Sequence, residues 1–94
     1  MNLDKEIFSS IKGFTKENPQ DLIGIINYVD YYQKLVITFE ELSEGLMPLI
    51  DDRKIVEIDN QKYFESIKIQ KLKIFSHFSR DIFEKALEKY KSSF

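Results

Sequence analysis

The stretch ITFEELSEGLMPLIDDRKIVEIDNQKYF, residues 37–64, decides the fold. Thr38-Phe39-Glu40-Glu41 is a capping box: the Thr38 hydroxyl accepts from a backbone N–H of the first turn, and the Glu41 carboxylate reaches back to the N–H of Thr38. The box predicts a helix from about Phe39 to Asp52, with Leu42, Leu46, Leu49 and Ile50 as its inner stripe. Pro48 falls inside that helix, where it removes one backbone hydrogen bond and favours a kink. Two short apolar runs follow, Ile55-Val56-Glu57-Ile58 and Lys62-Tyr63-Phe64-Glu65, separated by Asp59-Asn60-Gln61. Short β-favouring runs around an Asp-Asn turn predict a β-hairpin.

On the N-terminal side, Leu3, Ile7, Ile11 and Phe14 keep helical spacing with Phe8 beside them, so residues 3–14 read as a first helix ending near Gly13. Asn18-Pro19 reads as a cap followed by proline in the first helical position, and predicts a second helix over about Pro19–Gln33. Its apolar residues (Leu22, Ile23, Ile25, Ile26, Tyr28, Val29, Tyr31, Tyr32) are too dense for one stripe, so it should be covered on more than one side. Lys34-Leu35-Val36-Ile37 is a short connector into the capping box. On the C-terminal side, residues 67–92 fit one helix or two. Leu72, Phe75, Phe78, Ile82, Phe83, Ala86 and Tyr90 are helically spaced, Ile67-Lys68-Ile69 could extend the second strand, and Ser79 could cap a separate last helix.

Ninety-four residues suit one domain with one core, and a hydrophobic fraction of 43% with thirteen aromatics argues against disorder. There is no cysteine, which removes disulfides, thiolate zinc sites and cysteine nucleophiles and fits a cytoplasmic protein. Met1–Ser10 carries Asp4, Lys5 and Glu6 and does not read as a signal peptide; the longest apolar run, Leu22–Val29, is far too short to span a membrane. Charge is divided along the chain. Residues 1–52 hold four Lys against ten Asp/Glu, a net −6, and residues 53–94 hold ten Lys/Arg against six Asp/Glu, a net +4. Such asymmetry steers a partner, supports self-association, or is ordinary solvated surface.

The order helix, helix, connector, helix, hairpin, helix resembles the winged helix-turn-helix superfamily. The likeness is carried by residues 21–65, above all by ITFEELSEGLMPLI followed by KIVEIDNQKYF, and is similar to small bacterial winged-helix proteins sharing a T-x-E-E-L … L-I … I-V pattern. It implies an α+β, mostly α domain: a winged-helix-like three-helix core over residues 3–66, with a hairpin wing and a C-terminal helical extension over 67–94. Two departures stand out. Lys54 occupies a place where such domains often carry glycine. The helix that would enter a DNA groove carries Glu40, Glu41, Glu44, Asp51 and Asp52 and no Arg or Lys. Carboxylates repel a phosphate polymer, and base edges are read mainly by Arg, Lys, Asn and Gln.

Nothing in the chain assembles a reaction centre. His77 is the sole histidine, and its sequence neighbours Ser76, Ser79 and Asp81 do not by themselves make a triad. One histidine without cysteine does not make a zinc site, and no calcium loop, P-loop or dinucleotide fingerprint is present. The expectation is therefore a non-enzymatic interaction module without cofactor, metal, membrane or small-molecule ligand. Its partner would be a protein or a second copy. The interface candidates are Phe75, Phe78, Ile82, Phe83, Tyr90 and Phe94, a terminal-helix stripe that either pairs across a homodimer or docks onto the first helix. The alternative is a DNA-binding regulator touching phosphates through Arg53, Lys54, Lys62, Lys68, Lys71 and Lys73, a set that a lysine-rich solvated hairpin also explains. Tyr28, Tyr31 and Tyr32 form an aromatic group that serves either the core or an interface.

Overall fold

A computed structural model of the chain describes residues 3–58, 62–65 and 79–93. The capping box forms as expected: Glu41 N–H donates to Thr38 Oγ1 at 3.1 Å, and Thr38 N–H donates to Glu41 Oε1 at 3.0 Å. In chain order the elements are α1 (Asp4–Ile11), α2 (Leu22–Gln33), α3 (Phe39–Asp51), the strands β1 (Ile55–Ile58) and β2 (Lys62–Glu65), and α4 (Arg80–Lys91). The protein is α+β and mostly α, with one two-stranded antiparallel hairpin. The hairpin pairs Ile55 with Glu65 and Ile58 with Lys62, on the bounds expected from the sequence.

α3 runs through Pro48, which lies on its exposed face. The helix ends in a Schellman arrangement: Lys54 N–H donates to Leu49 O at 2.9 Å, and Arg53 N–H donates to Ile50 O at 3.0 Å. That closure puts Arg53 at φ 60°, so the left-handed position that glycine usually fills falls to Arg53, one residue before Lys54.

α2 begins three residues later than its sequence suggests. Asp21, not Asn18, is the cap, accepting from Gly24 N–H at 2.7 Å. The reason is Gln20, whose N–H and C=O both pair with Tyr63 at 2.7 Å in an antiparallel bridge. A residue held extended against β2 cannot also be helical. Asn18 instead closes a turn with Thr15. α1 likewise stops at Ile11, because Phe14 C=O accepts from Glu65 N–H at 3.2 Å and ties the chain to β2.

The core is built from one stripe of each helix plus the hairpin. Ile7 and Ile11 of α1, Ile25, Ile26 and Val29 of α2, Leu42 and Leu46 of α3, Ile55 of β1 and Tyr63 of β2 are fully enclosed. Each such aliphatic burial contributes about 1.5–3 kcal/mol. Gly45 lets α1 approach α3, since a Cβ there would collide with Ile7. Two buried polar groups are paired: Ser10 Oγ donates to Ile7 O at 2.6 Å, and the Tyr63 hydroxyl donates to Glu57 Oε1 at 2.6 Å.

Ser79 caps α4, one of the alternatives open in the sequence, while residues 67–78 of that expectation lie outside the described residues. α4 packs on α2 and α3. Phe83, 1% exposed, and Tyr90, 6% exposed, are members of the main core cluster, and Ile82 is packed against it. This corrects the assignment of Phe83 and Tyr90 to an outward interface. Both are consumed in covering α2 and α3, and α4 belongs to the core rather than standing outside it. The Tyr90 hydroxyl donates to Asp30 at 2.6 Å, fastening α4 to α2. Arg80 fastens α4 to α3, donating to Glu40 with its guanidinium 4.6 Å above the Phe39 ring. No helix of the described residues is long and apolar enough to cross a membrane.

Candidate protein interface

α2 separates its apolar residues onto two faces. Leu22, Ile25, Ile26 and Val29 recur at three and four and face the core. Tyr28, Tyr31 and Tyr32 recur on the other side. Tyr31 is 66% exposed and Tyr32 60%; with Val36 they are the large hydrophobic residues left exposed among those described. The three rings form one cluster, with Tyr28 and Tyr32 centroids 4.5 Å apart and Tyr31 edge-on to Tyr32 at 4.9 Å. Core packing, one of the two readings open in the sequence, therefore does not describe Tyr31 and Tyr32.

The cluster forms one wall of a groove of about 420 Å³ between α1 and α2. Lys12 and Phe14 contribute from the α1 side, and Asn27 lies beside the tyrosines on α2. Gly24 lies in this groove, where the Gln20 side chain packs against it so closely that any Cβ would collide. Gln20 is held there because its Nε2 donates to Ser10 O at 2.8 Å. The same residue thus anchors the hairpin through its backbone and shapes the groove through its side chain. At the far end α2 closes on Lys34, in the left-handed region at φ 57°, and its Nζ lies 5.4 Å from the Tyr31 ring centroid.

The other candidate surfaces are less assembled. Arg53, Lys54 and Lys62 are all exposed, but Arg53 and Lys54 precede β1 at the open end of the hairpin while Lys62 begins β2 at its turn end. Four strand residues separate the two positions, about 13 Å at the usual rise. Lys68, Lys71 and Lys73 lie outside the described residues, as do Phe75, Phe78 and Phe94 of the expected interface stripe, and His77. On α3, Glu40, Glu44, Asp51 and Asp52 are exposed around Pro48, while Glu41 is taken by the capping box. Arg80 holds the Glu40 carboxyl below its usual range through a direct hydrogen bond. The outward face of α3 carries no cation of its own. Among the described residues no three His, Cys, Asp or Glu side chains converge as a metal-holding group.

No family model matches the chain, and comparison with characterised proteins and with solved structures returns no match.

Proposed function

We propose that the chain is a non-enzymatic protein-binding module and that it engages its partner through the tyrosine face of α2. One observation carries the reading: Tyr31 and Tyr32 stay exposed while Phe83, Tyr63 and most of the described aliphatic side chains are buried. Tyrosine supplies large, stiff contact area with a polar tip, and it is enriched where proteins meet. A homodimer paired through α4 loses its motive, because Phe83 and Tyr90 would have to leave the core to make it. Membership of the winged-helix superfamily is part of the same proposal. It is supported by the element order and by the Gln20 bridge, which adds a third short strand position to the hairpin. Residence in the cytoplasm is a further part of the proposal, supported only by a composition without cysteine.

The test is site-specific photo-crosslinking in the native host, with benzoylphenylalanine in place of Tyr31 and, as a control, in place of Glu84 on α4. A discrete protein adduct from position 31, absent from position 84 and lost when Tyr28 and Tyr32 are changed to Ser, is the expected result. Equal, unspecific adducts from both positions would end the proposal. A second reading, phosphate contact through the hairpin, is favoured by the exposure of Arg53, Lys54 and Lys62. Salt-sensitive duplex DNA binding that Arg53→Ala, Lys54→Ala and Lys62→Ala together abolish would promote it.

A further inference from the structure

The groove that bears the tyrosines is partly built by chain that β2 holds in place. Residues two apart along a strand send their backbone N–H and C=O groups to the same edge. β1 takes one edge of β2. Tyr63 and Glu65 use the other edge on the segment between α1 and α2. Gln20 exchanges both of its backbone groups with Tyr63 at 2.7 Å, and Glu65 N–H donates to Phe14 O at 3.2 Å. The Glu65 carboxylate also accepts from Gly13 N–H at 3.2 Å. Phe14 and Gln20 both line the groove, so β2 sets the position of residues that shape it.

Gln20 carries this connection into α2. Its Nε2 donates to Ser10 O at 2.8 Å, and its Oε1 accepts from Asp21 N–H at 3.2 Å. Held at both ends, the side-chain amide rests on Gly24, where any Cβ would collide with it. The seat exists because residue 24 has no side chain. Filling it displaces a residue whose backbone is bonded to Tyr63, and undocking β2 releases the residue whose side chain occupies it.

Resting on the proposed protein-binding role, we propose that the seated Gln20 side chain couples the tyrosine groove to the hairpin, so that a partner on the tyrosine face binds the chain with its hairpin docked and tightens that docking in return. Coupling between two sites is reciprocal. The element with two arrangements is the Gln20 side chain, seated on Gly24 or released. The competing account fixes groove and hairpin independently through the core, by Ile11 and Ile25 on one side and Ile55 and Tyr63 on the other. In that account a change at Gly24 has no effect on β2.

Amide hydrogen exchange of the whole chain, without a partner, tests the link. Gly24→Ala fills the seat from the α2 side and removes no bond to β2. It should speed exchange at Gln20 and Tyr63 about tenfold while Leu46 of α3 keeps its rate, which separates local opening from global unfolding. On a Gln20→Ala background no amide remains to be displaced, so adding Gly24→Ala should change exchange at Tyr63 by less than about twofold. Unchanged exchange in Gly24→Ala, equal acceleration at Leu46, or the same effect with and without the Gln20 side chain would overturn the coupling. Its consequence for binding is read from the adduct of benzoylphenylalanine at position 31 in the native host. Glu65 does not line the groove, yet Glu65→Ala should lower the adduct yield several-fold, whereas Lys85→Ala on α4 should not. Equal yields in the two variants would also overturn the coupling. Unchanged exchange beside a discrete adduct removes the coupling alone, whereas absence of any adduct from the otherwise natural chain removes the binding role and the regulation proposed for it.

Discussion

Single residues show where this small fold commits its polar groups. Tyr63 is fully enclosed, and burial, with the adjoining Glu57, drives its hydroxyl pKa far above the ordinary range. Its ring fills the junction of hairpin and helices, its backbone holds Gln20, and its hydroxyl serves a buried carboxylate. Tyr63→Phe keeps the ring and deletes one donor to Glu57. It should cost about 1–3 kcal/mol, measured by urea unfolding; a change near zero would mean that Glu57 does not depend on that hydroxyl. Arg53 illustrates the opposite economy. A non-glycine residue at φ 60° is strained, so Arg53→Gly should raise stability by about 0.5–1 kcal/mol once the greater freedom of glycine in the unfolded chain is included. A matching rise in Tm of a few degrees is the readout. Thermal scans showing a lower Tm would mean that the arginine side chain contributes more than its backbone costs.

Elements were legible in the sequence where local chemistry decides them. The capping box of α3 and both hairpin strands stand at their expected bounds because caps and turns act over a few residues. Ser79, one of two alternatives for the C-terminal region, is the cap of α4 because its hydroxyl accepts from Ile82 N–H. The start of α2 was not legible. Asn18-Pro19 is a sound local signal, but it loses to Gln20 pairing with Tyr63 far along the chain. The candidate site was half legible: the tyrosines are visible as a group, but their exposure depends on which faces of α2 the helices α1 and α4 cover. For the same reason the apolar spacing of Phe83 and Tyr90 could not say whether α4 faces a partner or its own core.

The docking of α4 has a pH signature. Hydrogen bonding to Asp30, with burial and the nearby carboxylate charge adding to it, pushes the Tyr90 pKa from its ordinary 10.0 to about 12. A folded-state pKa raised above the unfolded one gives stability that is complete below the unfolded value and is lost as pH climbs through the folded value. The stability advantage of the natural chain over Tyr90→Phe should therefore be flat below about pH 10 and vanish by about pH 12. Denaturant melts of both proteins across that window check it; an advantage unchanged at the alkaline end would show that the Tyr90–Asp30 bond does not fasten α4.

Among the described residues, α3 turns carboxylates outward, α4 exposes both signs, the exposed hairpin cations stand at opposite ends of their strands, and the tyrosines stay exposed along the α1–α2 groove. With Phe83 and Tyr90 inside, the chain should run as a monomer in light scattering. A dimer that survives Tyr31→Ser and Tyr32→Ser would point to a surface other than the tyrosine face. The same double substitution removes exposed rings, so it should leave Tm within a degree or two, in line with the roughly ±0.5 kcal/mol typical of surface changes.

The most direct test of the account compares the tyrosine face with the hairpin in one spectrum: amide NMR of the isotopically labelled chain, alone and in extract of its native host. The account predicts signal loss confined to residues 9–14 and 24–34, unaffected by nuclease and absent for the Tyr31→Ser, Tyr32→Ser chain. Loss centred on Arg53, Lys54 and Lys62 and reversed by nuclease would contradict it.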